Sequence, residues 1–439
     1  MFTPHKNSYL QLVCAVNPRV INKAVDQAMQ VKQFDPHTEL PAAQRLESMQ
    51  PSLYAPHVDI TRARLGFGRI GLRLIVRDLH SPDQLVQLQA LHSVLDQVQI
   101  SESAMHLIDL HVVFRLTDLM MASNPIIREK VCIIISHLAN FHQGRRHIMS
   151  RPKIISNLME LLITECKEIR YAAAYTLKTL SRYLCCCEII SDEQIVENLL
   201  RIIKNDHSGI VRLIVHTLIS LTQWDPVPAL KANAFQVMLA LFDNKDHRIV
   251  SAAMECMSQL CGHDVGRELA DIHDVTFILK PFLMSESIKV KISAVGLMQY
   301  TTLTTRSKWR AKEICPELTK CLIRLCQYTN SPVLQLRSIQ VLINLCDCPD
   351  IRHHMKAHWE NKVKRIVICS ARQWDGSDEI TSYGNEIGFN LKTMCVEDVR
   401  TVKSDFGETA NVVNLNSYLK RVCDAKDQLI CAINWKPYD

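Results

Sequence analysis

Cysteine is the residue type with the clearest chemical potential in this chain, which contains 17 of them. Thiolates are good ligands for soft metals, and Cys185, Cys186 and Cys187 follow one another directly. Consecutive residues of a helix point in different directions, so these three thiols cannot converge on one ion. The total is odd and no pair has the spacing CxxC, which argues against disulfide frameworks and zinc ribbons. We therefore expect reduced thiols that pack as small apolar side chains.

A glycine pattern resembles a dinucleotide-binding loop, because Gly66, Gly68 and Gly71 follow the spacing GxGxxG. Such a loop needs an apolar strand before it, whereas residues 59–64 are charged and typical of a helix. We interpret these glycines as the loose entry to a helix, and we predict no bound cofactor.

No pattern in the sequence supports catalysis or a metal site. The cysteines and histidines of residues 346–354 are better spaced for a metal than the cysteine triplet, but we interpret them as packed thiols and surface histidines. No GxSxG elbow, kinase landmark or Walker loop occurs. The sequence thus predicts no catalytic residue, no cofactor-binding residue and no metal ligand, and a chain that is not an enzyme.

The positive charge of the chain is modest and mostly spread out, with a formal net charge of +6. Two small basic clusters stand out, within residues 145–151 and 306–310. A duplex-binding protein usually carries a basic stripe on one face, and no such stripe can be traced. We interpret the clusters as solvated helix ends, with a nucleic-acid or microtubule contact as the alternative. No apolar run is long enough for a signal peptide or a membrane span, so we expect an intracellular, soluble chain.

The helices that position these residues carry a sequence signature that recurs seven times. It has a branched apolar residue, a small residue four places later, and apolar residues eight and eleven places on. The signatures start at Val86, Ile127, Ile169, Val211, Ile249, Val290 and Leu334. A period of about 42 residues with this content is typical of armadillo and HEAT repeats. The sequence therefore predicts an all-α, right-handed superhelical solenoid of about seven repeats with a C-terminal capping helix.

The predicted solenoid covers only part of the chain. We expect an N-terminal helical extension over residues 1–53, the solenoid over residues 54–350, and C-terminal helices, a loop and the capping helix over residues 351–439. A loosely patterned stretch lies at residues 373–412, and an amphipathic period returns at residues 414–433.

Local signals place the ends of several helices. Three third helices are predicted to begin with a polar cap followed by proline, at Ser81–Pro82, Asn124–Pro125 and Ser331–Pro332. Residues 195–203 and 235–242 are predicted to be middle helices of their repeats. The cysteine triplet is expected at the end of the third repeat's last helix.

A binding groove is expected along the third helix of each repeat, at the sixth and tenth positions after the start of the signature. The candidate partner-binding residues are His137, Tyr175, Thr179, Gln259, Tyr300, Gln340 and Asn344. Nuclear-import adaptors resemble this architecture but present repeated Trp at the first of these positions and Asn at the second. This chain has no Trp there and only Asn344, so that resemblance is confined to the fold.

Both flanks of the repeats resemble one family. Residues 54–69 contain a proline-bearing lead, a Thr-Arg-Ala run and a Phe-Gly pair, and residues 88–91 continue the match. At the other end, residues 429–437 contain an apolar helix followed by Trp-Lys-Pro. These segments resemble the radial spoke head protein 14 homologue family, over roughly residues 54–437. Residues 1–50 and 373–412 depart from the family pattern.

This resemblance implies a non-enzymatic structural scaffold of the ciliary or flagellar axoneme, cytoplasmic in location. Its partners would be radial spoke subunits near the doublet microtubules, with no nucleic acid, membrane or small-molecule substrate. The alternative is a soluble armadillo adaptor of the catenin or import type that binds linear peptide motifs. A HEAT-like regulator of a phosphatase or other enzyme is a third hypothesis.

Overall fold

A computed structural model describes residues 68–370, 400–403, 409–413 and 415–436 of the 439-residue chain. The predicted N-terminal extension lies outside these residues. The first ten helices of the described residues are α1 (Gly68–Asp78), α2 (Gln84–Gln97), α3 (Ser101–Asp109), α4 (Val112–Leu119), α5 (Pro125–Leu138), α6 (His142–Met149), α7 (Pro152–Thr164), α8 (Lys167–Ser181), α9 (Leu184–Ile190) and α10 (Glu193–Ile203).

The second half continues the same order of helices. These are α11 (Ser208–Trp224), α12 (Val227–Lys231), α13 (Ala234–Ala240), α14 (His247–Leu260), α15 (Asp264–Ile272), α16 (Val275–Leu279), α17 (Ile288–Thr301), α18 (Thr305–Ala311), α19 (Cys315–Cys326), α20 (Pro332–Leu345), α21 (Pro349–His358), α22 (Glu360–Lys364) and α23 (Leu415–Asn434). Short 3-10 segments follow α13, α16 and α18.

The seven signatures fall on seven long helices, which are the third helices of successive repeats. They are α2, α5, α8, α11, α14, α17 and α20, and each contacts the next in chain order. The first residue of the signature is buried on every one from α5 onward, as with Ile127 at 1% and Leu334 at 0% exposure. Because no single helix buries its apolar face alone, the stack shares one continuous core. The predicted all-α armadillo-type solenoid is confirmed.

A short pair of strands departs from the all-α prediction. The strand β1 (Arg400–Lys403) pairs antiparallel with β2 (Thr409–Val413), with a register irregularity between Thr401 and Lys403. Both lie in the stretch where the sequence has only weak patterning.

Two of the three predicted cap-and-proline starts are confirmed. The Asn124 side chain accepts from the Ile126 amide at 3.0 Å, and Ser331 accepts from Leu334 at 3.1 Å. The third prediction is wrong, because α2 begins at Gln84 and Asp83 is its cap, with 2.9 Å to the Leu85 amide. An aspartate is as good a cap as serine, and its charge also suits the positive end of the helix dipole.

The two predicted middle helices are confirmed as α10 and α13, but the position of the cysteine triplet is wrong. The third helix α8 ends at Ser181, and the triplet lies in α9, the first helix of the following repeat. Cys187 Sγ donates to the Ser181 carbonyl at 2.9 Å, so this thiol joins the two repeats. Gly68 is the first residue of the helix α1 and Gly71 lies inside it, whereas Gly66 lies outside the described residues.

The helix α23 covers the end of the stack. It contacts α20, α21 and α22, and it buries Val422, Leu429 and Ile433 there. Lys426 Nζ donates to the Ile366 carbonyl at 2.9 Å and ties the helix to the segment after α22. Its other side exposes polar residues such as Asp427, as expected of a cap. The division of the chain at residues 53 and 350 stays a prediction.

Among the described residues, no helix is long and apolar enough to cross a membrane.

Candidate functional site

The third-helix face is the outward side of α5, α8, α11, α14, α17 and α20, at the sixth and tenth signature positions. All seven candidate residues lie on these helices: His137, Tyr175, Thr179, Gln259, Tyr300, Gln340 and Asn344. Tyr175 is 42% exposed, whereas Thr179 is 5% exposed and the other five are half-buried. Their binding role stays a prediction, but their accessibility differs along the stack.

The helix α8 exposes two tyrosines. Tyr171 lies one turn before Tyr175 and is also exposed, at 43%. Thr179 instead donates its hydroxyl to the Tyr175 carbonyl at 2.9 Å, so it is satisfied within its own helix. Two exposed tyrosines four residues apart form one contact surface on a helix. Tyr171 is not among the predicted residues, although its place one turn before Tyr175 could have identified it.

Amide side chains join α17 and α20. Gln299 donates to the Gln340 side-chain oxygen, and Asn344 Nδ2 donates to the Gln299 carbonyl at 3.0 Å. Asn344 also donates to the Thr302 hydroxyl at 3.2 Å. The structure thus brings two predicted residues together through Gln299, which is not among the predicted residues. Their amides hold the repeats together and line the face at the same time.

The helix α14 carries two polar groups that lack such partners. Gln259 Nε2 is buried and has no hydrogen-bond partner in the described part of the chain. Glu255, one turn earlier, is half-buried. Burial raises the pKa of Glu255, and the positive charge of Arg337 opposes that rise. A desolvated carboxyl and an unsatisfied amide each cost free energy in the isolated protein.

Arg337 reaches this region from α20 across α17. Its Nη1 donates to the Ile292 carbonyl at 3.0 Å. A side chain at Gly296 would overlap the Arg337 guanidinium, so glycine is what lets the arginine lie flat on α17. Three successive repeats therefore contribute to one polar cluster.

Burial lowers the pKa of His137, which lies on α5. The neutral imidazole is therefore favoured at this position, so His137 adds little positive charge to the third-helix face.

The first basic cluster is structural. Arg145 is 4% exposed, donates to the Ala139 carbonyl at 2.9 Å, and lies 3.6 Å over the Tyr183 ring. Arg151 lies 3.7 Å over the Phe114 ring. The interpretation of this cluster as a solvated helix end is therefore wrong for Arg145, because aromatic packing and a helix-end carbonyl attract the guanidinium inward.

The second basic cluster is largely paired across repeats. Lys308 lies 2.7 Å from Asp347, and Arg310 lies 2.7 Å from Asp274. Pairs separated by nearly one repeat recur elsewhere, for example Arg170 with Asp206 at 2.9 Å. These cations are engaged by neighbouring repeats, which leaves little unpaired charge for a phosphate backbone.

No group of three His, Cys, Asp or Glu side chains in the described residues could hold a metal ion. Cys346 and Cys348 are both buried, in line with packed thiols. A cleft of ≈ 680 Å³ opens between α10 and α13, away from the third-helix face, and its lining mixes apolar side chains with Lys204, Gln236 and Asn244. Buried side-chain atoms without a hydrogen-bond partner occur in several parts of the described chain, for example Asn157 Nδ2 on α7, Ser191 Oγ after α9 and Gln259 Nε2 on α14, and none of these three residues lines the cleft.

No protein-family model matches the chain, and no curated protein matches its sequence. An engineered protein of known crystal structure is similar to it, with 15% identity and a TM-score of 0.60, over 84% of this chain and 89% of that one. A designed armadillo repeat protein, solved with the peptide (KR)4, has 14% identity and a TM-score of 0.49, over 52% of this chain and 99% of that one. The likeness to the engineered protein supports the fold alone, which the helix order and packing establish independently.

Proposed function

We propose that this chain is a non-enzymatic scaffold that binds other proteins through its third-helix face. The observation that carries the proposal is the buried, unpartnered amide of Gln259 beside the desolvated carboxyl of Glu255. Such groups gain their missing contacts when a partner docks. The solenoid offers this face over several repeats, which suits an extended partner better than a small substrate.

We further propose that the scaffold belongs to the ciliary or flagellar axoneme, where it binds radial spoke subunits. The support is the resemblance of residues 54–69 and 429–437 to the radial spoke head protein 14 homologue family. Residues 429–434 form the end of α23, so the resembling segment closes the stack. A cytoplasmic, axonemal location follows from the same resemblance.

Co-sedimentation with demembranated axonemes tests the axonemal proposal. The full-length protein should pellet with axonemes after detergent extraction. Tyr175→Ala, on the third-helix face, should weaken pelleting, whereas Trp309→Ala, which changes a more exposed aromatic residue on α18, should not. Full release of the wild-type protein into the detergent supernatant would contradict the axonemal role.

A soluble adaptor for linear peptides is the second candidate. The exposed pair of Tyr171 and Tyr175 favours it, because aromatic side chains are common anchors for peptides. An adaptor for a single motif should repeat its ligand residues along the stack, and this face does not. The two candidates separate in the same extraction, since an adaptor should leave the axoneme with detergent and still bind peptide.

A further inference from the structure

Half of the net positive charge of the chain lies at one end of the stack. Residues 349–365, which contain α21 and α22, hold five Lys and Arg but only two acidic residues. They therefore supply +3 of the formal net charge of +6. A local excess of this size attracts anions unless carboxylates of the protein itself neutralise it.

Both carboxylates of this segment are already paired. Asp350 lies 2.5 Å from Lys312 Nζ, and Glu360 lies 2.6 Å from Lys364 Nζ. Asn434 Nδ2 also donates to Glu360, at 3.3 Å. The hydrogen bonds from Lys364 and Asn434 hold the pKa of Glu360 below its usual range, so this carboxylate stays ionised and engaged. Neither carboxylate is available to the other cations nearby.

Four cations at this end of the stack have no such partner. Lys356, Lys362, Arg365 and Lys436 are exposed, and none of them forms a side-chain hydrogen bond or an ion pair within the described residues. Lys362 Nζ lies over the Trp359 ring at 4.4 Å, a contact that does not neutralise its charge. The positive charge of this surface is therefore accessible to a partner.

The position of these cations in the stack explains why they are unpaired. In the preceding repeats, ion pairs join residues nearly one repeat apart, such as Lys308 with Asp347 at 2.7 Å. A further repeat after α22 would provide the next carboxylates, but the capping helix α23 covers the end of the stack instead. Asp424 and Asp427 of α23 form no ion pair in the part of the chain that the structure describes. The cap thus closes the core without continuing the pairing of charges.

The end of α23 adds an apolar side chain to the same surface. Trp435 is 55% exposed, and the Arg352 guanidinium of α21 lies 4.8 Å from the centre of its ring. The hydrogen bond from Asn434 to Glu360 places this end of α23 beside α22 as well. An exposed tryptophan next to lysines suits a polypeptide, which offers both apolar side chains and carboxylates, better than a phosphate backbone.

We propose that α21, α22 and residues 434–436 form a surface, here called the end surface, that binds a short acidic segment of a protein partner. Carboxylates of the segment pair with Lys356, Lys362 and Arg365, and an apolar side chain beside them packs on Trp435. The helix α21 has ten residues and is about 15 Å long, which accommodates four or five residues of an extended chain. This inference rests on the proposed protein-binding function, and it adds a contact surface on helices that are not third helices.

Fluorescence anisotropy with the full-length protein tests the end surface. The probe is a labelled Gly/Ser peptide that carries four glutamates and one leucine, and its control probe replaces each glutamate by glutamine. At low ionic strength the glutamate probe should bind about tenfold more tightly than the glutamine probe. Added salt should reduce this preference, because exposed charges are screened. Lys356→Gln, Lys362→Gln and Arg365→Gln together should abolish it.

A matched variant separates a local site from the general attraction of a basic protein. It combines Lys153→Gln, Lys204→Gln and Lys245→Gln, which change three exposed lysines of other repeats that have no ion pair within the described residues. Because it loses the same net charge as the triple variant of the end surface, it should keep the glutamate preference. Trp435→Ala should weaken both probes by a similar factor, since both carry the leucine.

Three results would overturn the proposal: no binding of the glutamate probe, a glutamate preference that survives the triple change at the end surface, or loss of that preference in the matched variant. A DNA duplex that binds more tightly than the glutamate probe, and loses this binding with the triple change, would assign the end surface to nucleic acid instead. Pelleting with axonemes is measured alongside. Wild-type pelleting without glutamate-probe binding removes the end surface and leaves the scaffold function intact, whereas probe binding without pelleting removes only the axonemal role.

Discussion

Arginines at the start of three first helices complete the ends of the preceding third helices. Each donates Nη1 to a helix-end carbonyl six residues earlier in the chain: Arg145 to Ala139, Arg267 to Cys261 and Arg352 to Cys346. The last carbonyls of a helix have no partner within it and carry its negative dipole end, so a cation there is favourable. The sequence signature counted apolar positions, and it could not show these donors because they depend on how two helices meet.

Arg145→Ala should destabilise the protein by about 2–3 kcal/mol, because it leaves the buried Ala139 carbonyl without this donor and removes the packing on Tyr183. Denaturant unfolding followed by circular dichroism measures the change. The neighbouring Arg146 is exposed, and Arg146→Ala should have little effect. Equal losses for the two variants would show that Arg145 has no special role.

Thiol reactivity should follow burial. Burial raises the pKa of Cys132, Cys256, Cys261 and Cys346 to about 12, so these thiols stay protonated and inaccessible. Cys166, Cys423 and Cys431 are exposed. At a pH of about 8, maleimide should label the exposed group first, as read by mass spectrometry of peptides. Rapid labelling of Cys132 in the native protein would contradict the fold around α5.

At the scale of helices, the sequence predicted the long third helices but not the short first helices. The third helices were predictable because their apolar positions recur with the repeat, and α10 and α13 were also located. First helices such as α12 (Val227–Lys231) have only five residues, which is too short for a clear period. Ser81 was predicted as the cap of α2 because it stands directly before a proline. Asp83 stands directly after that proline and is an equally good cap.

Close contact between helices depends on glycine at two of these junctions. A Cβ at Gly144 would overlap the carbonyl oxygen of Leu138, and one at Gly266 would overlap that of Leu260. Both glycines lie on first helices that press against the end of the preceding third helix. Gly144 lies within α6 and Gly266 lies within α15.

Gly266→Ala should be strongly destabilising, by about 3 kcal/mol or more, because backbone atoms of α14 cannot easily move away. Gly209→Ala is the matched control: a Cβ there would meet His207 Nδ1 at 3.6 Å, an ordinary contact. It should be neutral or stabilise by about 0.5–1 kcal/mol, since alanine favours helix. Thermal unfolding compares the two. A neutral Gly266→Ala would mean that α15 does not pack against α14 as closely as described.

At the scale of the molecule, the repeat period was enough to predict the stack and its cap, but not the polar detail of its face. The Gln299–Gln340 and Asn344–Gln299 contacts join residues about one repeat apart, and their register follows from packing that a single sequence does not reveal. Glu255 and Gly296 stand at the sixth positions of their signatures, yet nothing in that spacing predicts Arg337 beside them. The strands β1 and β2 were missed because their segment has no strong alternation.

A stack of repeats should respond locally to damage at its end, because each repeat contacts only its neighbours. Leu429 is fully buried between α23 and the last repeats, so Leu429→Ala should cost about 2–5 kcal/mol of local stability. Hydrogen exchange should then show lost protection in α23 and α20, while α5 and α8 stay protected. The exposed Gln428 provides the control, because Gln428→Ala should change neither region. If protection fell equally in α5 and α20, the chain would unfold as one cooperative unit, and α23 would stabilise every repeat and not only the last.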